Sequence, residues 1–215
     1  MAESKQQVDL RVAVISNEVG GLLTPRGEGS TSPDIQLRPW VAVPELSEVD
    51  AEELKRQRIA CGWHSERIPM WKEEIQSGTR YVWFIHLRTP TGLTEPAGMI
   101  SLCLFDPSDP TLADLLAPPP KTGTRVEIAS LFIYPEYRRQ GIGEAAIREL
   151  ERTAAGLGAA VVTMNTPALG ENIRRYRRMG YQQYKKEKKY PLKDVLACGF
   201  PEEYCYAAFL EKRLM

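Results

Sequence analysis

The sequence is poor in the residues that build metal sites and disulfide frameworks. Its 215 residues include four cysteines and two histidines. No two cysteines stand in Cys-x-x-Cys spacing, and only His64 and His86 are available to complete a metal site, so we predict no zinc centre. Unpaired thiols are typical of reducing compartments, and we therefore expect a cytoplasmic location.

The chain also lacks long apolar runs and an excess of either charge. No apolar stretch approaches the ~20 residues of a membrane span, and residues 1–9 are too polar for a secretory leader. Lysine plus arginine and aspartate plus glutamate each number 28, so the formal net charge is zero. We therefore expect neither a nucleic-acid nor a membrane partner, and either a monomer or a homodimer.

Composition divides the chain into an extension and one globular domain. With 43% hydrophobic and 26% charged residues, the chain has the amino-acid composition of an ordinary globular protein. Residues 1–34 hold a candidate strand at 10–15 and a connection rich in Gly, Ser, Pro and Thr, so we expect a domain over residues 35–215. Proline-rich residues 106–124 predict an insertion, either a substrate lid or a tolerated surface excursion.

The most informative stretch joins a predicted strand to a predicted helix. Residues 126–133 are rich in apolar and β-branched residues, and they end before Pro135. Residues 137–145 follow, and apolar side chains then recur at helical spacing. Gly141 and Gly143 remove side chains where an anion would approach the backbone, and the first N–H groups of a helix carry partial positive charge. Arg138 and Arg139 add whole charges, so we predict a pyrophosphate-binding loop.

Two other phosphate-binding motifs do not match this loop. A dinucleotide fingerprint has a third glycine where this chain has Ala146, which only the looser form allows, and no acidic residue closes a following strand. A P-loop needs Gly-Lys-Ser/Thr, which is missing here. A glycine-containing turn with surface arginines remains the alternative for this motif alone.

Two motifs together resemble a known superfamily. Arg138-x-x-Gly141-x-Gly143 resembles the Gln/Arg-x-x-Gly-x-Gly/Ala signature of the GNAT superfamily of acetyl-CoA-dependent N-acetyltransferases. The segment from Tyr176 to Tyr181 resembles the Tyr-x-x-x-Gly-Phe/Tyr element near the end of those domains. The resemblance covers roughly residues 35–214 and is strongest over 126–181. The segments around residues 62–64 and 172–181 look most like fungal small-molecule members.

The resemblance implies a GNAT fold of the mixed α/β (α+β) class. We expect a twisted, mostly antiparallel sheet of about six or seven strands flanked by about four helices. Hydrophobic patterning predicts helices over residues 47–59 and 69–77, and strands over 81–87, 97–104, 159–164, 181–190 and 204–210. Splaying of two strands after Ile133 and Met164 would leave backbone groups for pantetheine, as an added strand would use them.

The resemblance also implies acetyl-CoA as cofactor and a set of residues that hold it. The expected contacts come from the strand end, the loop, the helix start and the later elements: Leu131, Phe132, Ile133, Arg138, Arg139, Gln140, Gly141, Ile142, Gly143, Glu144, Asn165, Asn172 and Tyr176. Leu169 stands where the family usually has asparagine, so Asn172 either replaces that contact or caps the helix. Asn165 is either a turn residue or a pantetheine contact. Basic residues over 174–178 and 185–189 either face the coenzyme phosphates or are solvated.

Glu127 and Tyr176 are the candidate catalytic residues. An alkyl amine has a pKa of about 10 and an α-amino group one near 8, so a base must remove a proton before attack. Glu127 is the candidate base, and a sheet-edge or salt-bridged glutamate is the alternative. Regular alternation places Glu127 on the side of Leu131, and a bulge would redirect it. The resemblance assigns protonation of the leaving thiolate to Tyr176, whose alternative role is aromatic packing.

The acceptor is predicted only by class. Trp63, His64 and Trp83 lie in the half that shapes the acceptor pocket in this superfamily, and Tyr190 and Tyr204 would close its other side, although isolated aromatics are more often core residues. We expect a small-molecule primary amine such as an amino-acid derivative or a xenobiotic. A protein lysine or N-terminus is the alternative, and a catalytically silent acyl-CoA-binding module is the second.

Overall fold

The computed structural model describes residues 35–39, 47–63, 65–89, 91–104, 124–197 and 202–214. The extension predicted over residues 1–34, the insertion up to residue 123 and His64 lie outside these residues. Within them, no helix is long and apolar enough to cross a membrane. The same residues contain no group of three or more His, Cys, Asp or Glu that could hold a metal ion.

Strands and helices alternate along the described chain. The strands are β1 (Ile35–Pro39), β2 (Arg80–Thr89), β3 (Gly92–Leu93), β4 (Gly98–Leu104), β5 (Thr124–Ile133), β6 (Ala159–Pro167), β7 (Gln182–Lys189) and β8 (Tyr206–Arg213). The helices are α1 (Glu48–Ala60), α2 (Ile68–Gln76), α3 (Ile142–Gly156), α4 (Gly170–Arg178) and α5 (Leu192–Ala197). Sequence patterning predicted the first four helices, while the short α5 was missed because six residues give too little periodicity.

The strands form one mixed sheet in the order β1-β2-β4-β5-β6-β8-β7, with β3 paired to β2. β5 and β6 are parallel, because α3 carries the chain back across the sheet between them. All other pairs are antiparallel. The predicted mixed, mostly antiparallel sheet flanked by helices is therefore confirmed.

Each side of the sheet has its own core cluster. On one side, α3 packs its apolar stripe, which includes Ile142, Ala146 and Leu150, against the β4–β6 region. On the other side, Leu54 of α1 and Trp71 of α2 form a second cluster with side chains of β2, β4 and β5. We call these the α3 side and the α1/α2 side. A residue's position in a strand therefore decides which helices it faces.

A buried ion pair connects strands in the C-terminal half. Arg125 of β5 lies 2.9 Å from Glu211 of β8, and both side chains are less than 10% exposed. The Arg125 guanidinium also stacks over Tyr184 of β7, 4.9 Å from the ring centre. The pair therefore spans β6 and ties its neighbours together.

We expect Arg125→Met to destabilise the protein by about 3 kcal/mol, because it leaves the Glu211 carboxylate buried without its cation. Chemical denaturation of the variant measures this loss. The double variant Arg125→Met, Glu211→Met should recover most of the stability, since no buried charge is then left alone. A double variant that is less stable than the single one would contradict this account.

Candidate active site

The parallel strands β5 and β6 separate in the middle of the sheet. Their paired residues end at Ile128 on β5 and Met164 on β6. β5 continues to Ile133 along β4 alone, and β6 continues to Pro167 along β8 alone. The predicted splay after Met164 is where the structure has it, but on β5 the splay begins after Ile128, so the prediction of Ile133 was wrong. Beyond Ile128, the edge of β5 toward β6 has no strand partner among the described residues.

A bulge in β5 explains the early separation and turns Glu127. Ser130 pairs with Ser101 of β4, whereas Ile128 pairs with the next residue, Leu102, so Ala129 is an extra residue in β5. The bulge that the sequence left as an option is therefore present. Glu127, which pairs with Cys103, now lies on the α1/α2 side together with Ser130. Regular alternation would have placed it with Leu131 on the α3 side.

Asn165 of β6 holds the Glu127 carboxylate. Its Nδ2 donates a hydrogen bond of 2.9 Å to Oε1 of Glu127. Thr163, two residues earlier, pairs with Glu127 across the strands and donates to the Val126 carbonyl at 3.1 Å. The carboxylate is therefore fixed at the base of the splay by a residue of the opposite strand. We had expected Asn165 to be a turn residue or a pantetheine contact, and its contact with Glu127 is not visible from sequence spacing.

The loop between β5 and α3 exposes backbone N–H groups. Gly141 precedes the helix with φ 78°, and no side chain caps this end of α3. The first N–H that bonds within the helix is that of Ala145, which donates to the Gly141 carbonyl at 3.0 Å. The earlier N–H groups of α3 have no helical partner, so they are free to bind an anion. Arg139 also adopts the left-handed region, with φ 62°, a strained backbone that is common at ligand sites.

The other loop residues have different surroundings. Gly143 lies next to β5, since a Cβ there would meet Leu131 Cδ2 at 3.7 Å and Ile133 Cγ1 at 3.9 Å. Ile142 is buried in the core under the first turn of α3. Gln140 and Glu144 are exposed, with Gln140 Nε2 donating to the Glu136 carbonyl and Glu144 accepting from Arg148.

Arg138 turns back toward the sheet. Its Nε donates to the Ile133 carbonyl at 2.9 Å, and its guanidinium lies 5.9 Å from the centre of the Phe132 ring. Phe132 belongs to the core cluster on the α1/α2 side. Arg138 therefore joins the loop to the strand end, with its guanidinium toward the α1/α2 side.

Tyr176 of α4 is part of a polar chain beside the far end of β6. It packs against the core on the α3 side, with its ring 6.1 Å from that of Tyr181. Burial raises the pKa of Tyr176, while Arg175 and a hydrogen bond with Thr166 act in the opposite direction. Asn172 Nδ2 donates to Thr166 Oγ1 at 3.4 Å. Tyr176 is therefore a protonated phenol at neutral pH.

Asn172 does not cap α4. The helix begins at Gly170, its N-cap residue is Leu169, and no side chain bonds to the first N–H groups. Asn172 is the third residue of the helix, too far along to be the N-cap. The capping alternative was therefore wrong, and Asn172 is left as a polar neighbour of Thr166.

The aromatic residues predicted for the acceptor site do not all meet. Trp83 pairs with Ile100, stacks on Tyr81 at 5.9 Å and packs on the α3 side, opposite to the side on which Glu127 lies. Trp63 packs on the α1/α2 side, where Arg58 lies 5.7 Å from its ring centre. The structure therefore leaves Trp63 on the side of Glu127.

Tyr190 and Tyr204 lie in the connection between β7 and β8. Burial raises the pKa of Tyr190, and the negative charge of Glu127 raises it further. Tyr204 is half-buried in the short helical turn that precedes β8. Tyr190 therefore senses the charge of Glu127.

We expect Asn165→Ala to lower kcat about tenfold, because the Glu127 carboxylate loses the donor that orients it. Affinity for acetyl-CoA, measured by calorimetry, should change little. Thr153→Ala on α3, whose hydroxyl donates to the Glu149 carbonyl at 3.1 Å, is the control for the loss of a polar side chain away from the splay. An equal loss of kcat in both variants would argue against a specific role for Asn165.

A split sheet with an uncapped helix start beside its open strand suits a phosphate-bearing ligand that bonds to the free strand edge. Residues 45–181 match the acetyltransferase (GNAT) family. The match covers more than half of the 215 residues, and the chain belongs to this family of acetyl-CoA-dependent acetyltransferases. No curated protein matches the chain by sequence.

Solved structures agree on the fold. Arabidopsis thaliana NAA60 in complex with acetyl-CoA has a TM-score of 0.61 and 20% identity, over 84% of this chain and 98% of that one. A chain of the NatC complex bound to Gag peptide and CoA has a TM-score of 0.54 and 17% identity, over 85% and 99%. The ribosomal-protein-alanine N-acetyltransferase of Brucella melitensis has a TM-score of 0.54 and 15% identity, over 84% and 99%.

Proposed function

We propose that this acetyltransferase moves the acetyl group of acetyl-CoA directly to a primary amine, with Glu127 as the general base. The observation that carries the proposal is the position of Glu127. The bulge at Ala129 and the hydrogen bond from Asn165 hold its carboxylate at the base of the splay between β5 and β6. A carboxylate in this place is able to accept the proton that an attacking ammonium group must lose.

The residues present fit acetyl-CoA. The uncapped N–H groups of α3 and the exposed loop suit the pyrophosphate, and the edge of β5 beyond Ile128 suits the amides of pantetheine. Bound acetyl-CoA supplies an activated thioester and a thiolate leaving group. We assign the polarisation of the thioester oxygen to a backbone N–H near Leu131 on this open edge.

A covalent cysteine mechanism is disfavoured by the thiol nearest the proposed base. Cys103 pairs with Glu127 across β4 and β5. Burial raises the pKa of the Cys103 thiol to about 12, with Arg80 opposing and Glu127 adding to the shift. The thiol is therefore neutral and a poor nucleophile at pH 7, which supports direct attack by the amine.

Tyr176 is our candidate for the acid that protonates the leaving thiolate. Its raised pKa keeps the phenol proton in place through neutral pH. We expect Tyr176→Phe to lower kcat about 100-fold with little change in acetyl-CoA affinity, because the ring packing is kept and the proton donor is lost. Tyr181→Phe, whose hydroxyl donates to buried Glu151 at 2.8 Å, is the control for loss of a buried phenol. Indifference of kcat to Tyr176→Phe would remove this assignment.

An α-amino group is the acceptor that the chemistry favours. With a pKa near 8 rather than about 10, an α-amino group leaves less work for a single base than a lysine side chain does. Small amino-acid derivatives and protein N-termini both carry this group. Protein N-termini are favoured by two similar structures: one is by name a ribosomal-protein-alanine N-acetyltransferase, and the other holds a Gag peptide.

Thiol release from acetyl-CoA tests the proposed function. The panel should contain amino acids, short peptides, arylalkylamines, polyamines, aminoglycosides and lysine peptides blocked at the N-terminus, with acetyl-CoA binding measured by calorimetry in parallel. Release with α-amines above the blocked lysine peptides would support the proposal. Tight acetyl-CoA binding without release from any member would favour a silent binding module.

A further inference from the structure

A lysine shares the side of the sheet on which Glu127 lies. Lys188 of β7 pairs with Ala207 of β8, and Ala207 pairs with Pro167 of β6. Pro167 is two residues beyond Asn165 on the same strand, so both lie on one side of the sheet. Asn165 holds Glu127, and Lys188 therefore faces the side from which Glu127 would receive an amine.

Tyr190 connects this lysine with the proposed base. The Lys188 ammonium lies 5.2 Å from the centre of the Tyr190 ring. Burial raises the pKa of Tyr190, and the negative charge of Glu127 raises it further. Tyr190 is also 36% exposed, so its ring is an accessible aromatic surface beside the Lys188 cation. An acceptor that packs on the Tyr190 ring with its amine toward Glu127 has the rest of its length toward Lys188.

Lys188 is exposed, and no carboxylate of the described residues forms an ion pair with it. An ammonium group in this position attracts an anion. Glu127 pairs with Thr163 of β6, whereas Lys188 is linked through Ala207 to Pro167, four residues further along β6. Lys188 is also three strands away from Glu127 across the sheet. At ordinary strand geometry these offsets are about 13 Å and about 14 Å between backbones. Combined, the two offsets separate the backbones by about 19 Å, or about five residues of extended chain, which is more than the length of one amino acid.

We propose that Lys188 selects acceptors that carry a carboxylate a short peptide length from the reactive amine. The inference rests on the proposed function and names its substrate class. Free acidic tripeptides and protein N-termini with an acidic residue at about the third or fourth position both have this chemistry. Lys185, which faces the same side opposite Phe209, adds positive charge to the approach.

Matched peptides test the role of Lys188. Two N-terminally free peptides without lysine should differ only in Glu or Gln at positions three and four, and steady-state kinetics should be measured for the parent and for Lys188→Glu. We expect the parent to prefer the Glu peptide. In Lys188→Glu, the KM for the Glu peptide should rise about three- to tenfold, because an attraction becomes a repulsion, while kcat is largely kept. The Gln peptide should be almost unaffected.

Lys189→Glu is the matched control. Lys189 pairs with Tyr206 and lies 5.5 Å from its ring, on the side of the sheet opposite to Lys188. Lys189→Glu therefore makes the same change of charge on the side away from Glu127. An equal rise in KM for Lys188→Glu and Lys189→Glu, or a parent that does not distinguish the two peptides, would overturn the proposal. If the proposal fails in either way, turnover of the Gln peptide still shows that the transferase activity is intact. Repeating the comparison with tripeptides that end in Glu amide or Gln amide identifies the source, and a preference for Glu in either series supports the proposal.

Discussion

Replacing Glu127 by glutamine should lower kcat about 1,000-fold at pH 7, within the range that general base catalysis contributes. The amide keeps the size of the side chain and remains next to Asn165, so the strand and the splay are preserved. Only the ability to accept a proton is lost. Steady-state assays with the best α-amine acceptor measure the effect, and calorimetry should give an almost unchanged acetyl-CoA affinity.

The pH dependence separates a base from a structural carboxylate. Without a base, only the amine that is already unprotonated reacts, so the rate of Glu127→Gln should rise with pH until the pKa of the amine, near 8 for an α-amino group. The parent should reach its plateau at lower pH, because Glu127 removes the proton. Glu149→Gln on α3 is a control for loss of a carboxylate far from the splay. Identical pH–rate profiles for Glu127→Gln and the parent would assign proton removal to another group or to water.

Replacing Gly141 by glutamate should weaken acetyl-CoA binding by more than about 100-fold. The new carboxylate would lie at the helix end where the pyrophosphate is expected, and it would occupy the N–H groups of α3 itself. Calorimetry with acetyl-CoA measures the loss, and thermal unfolding shows whether the variant is folded. Gly143→Glu should have a similar effect, because its side chain would enter the space between α3 and β5.

Two controls isolate the charge from the backbone strain. Gly158, at the other end of α3, has φ +83° and open space around it, so Gly158→Glu introduces the same strain and charge away from the loop. Its acetyl-CoA affinity should match that of the parent. Gly143→Ala should also bind, since its Cβ would meet only ordinary contacts of 3.7 Å and 3.9 Å. Parent-like affinity in folded Gly141→Glu would rule out the loop as the anion site.

The local elements of the site were predictable because they depend on short-range rules. Apolar and β-branched residues make β5, glycine at position 141 allows the left-handed backbone before α3, and the apolar stripe of α3 is readable at helical spacing. The order of the two motifs also identified the family correctly. These features are encoded within a few residues of each other, so no tertiary contact is needed to infer them.

The side on which each residue lies was decided by the tertiary structure. One extra residue in β5 moves Glu127 to the opposite side, and the need for that bulge arises from pairing with β4, which no local pattern shows. Asn165 meets Glu127 across a parallel pair 38 residues apart in sequence. Trp83 and Lys188 were placed in the same way, by strand register.

The sequence by itself therefore determined the first four helices, the glycine turn before α3 and the family. Only the tertiary structure decided which side chains share a side of the sheet and meet at the splay. The physical reason is that side chains alternate along a strand, so a shift of one residue in pairing exchanges the two sides, and that shift is set by distant strands.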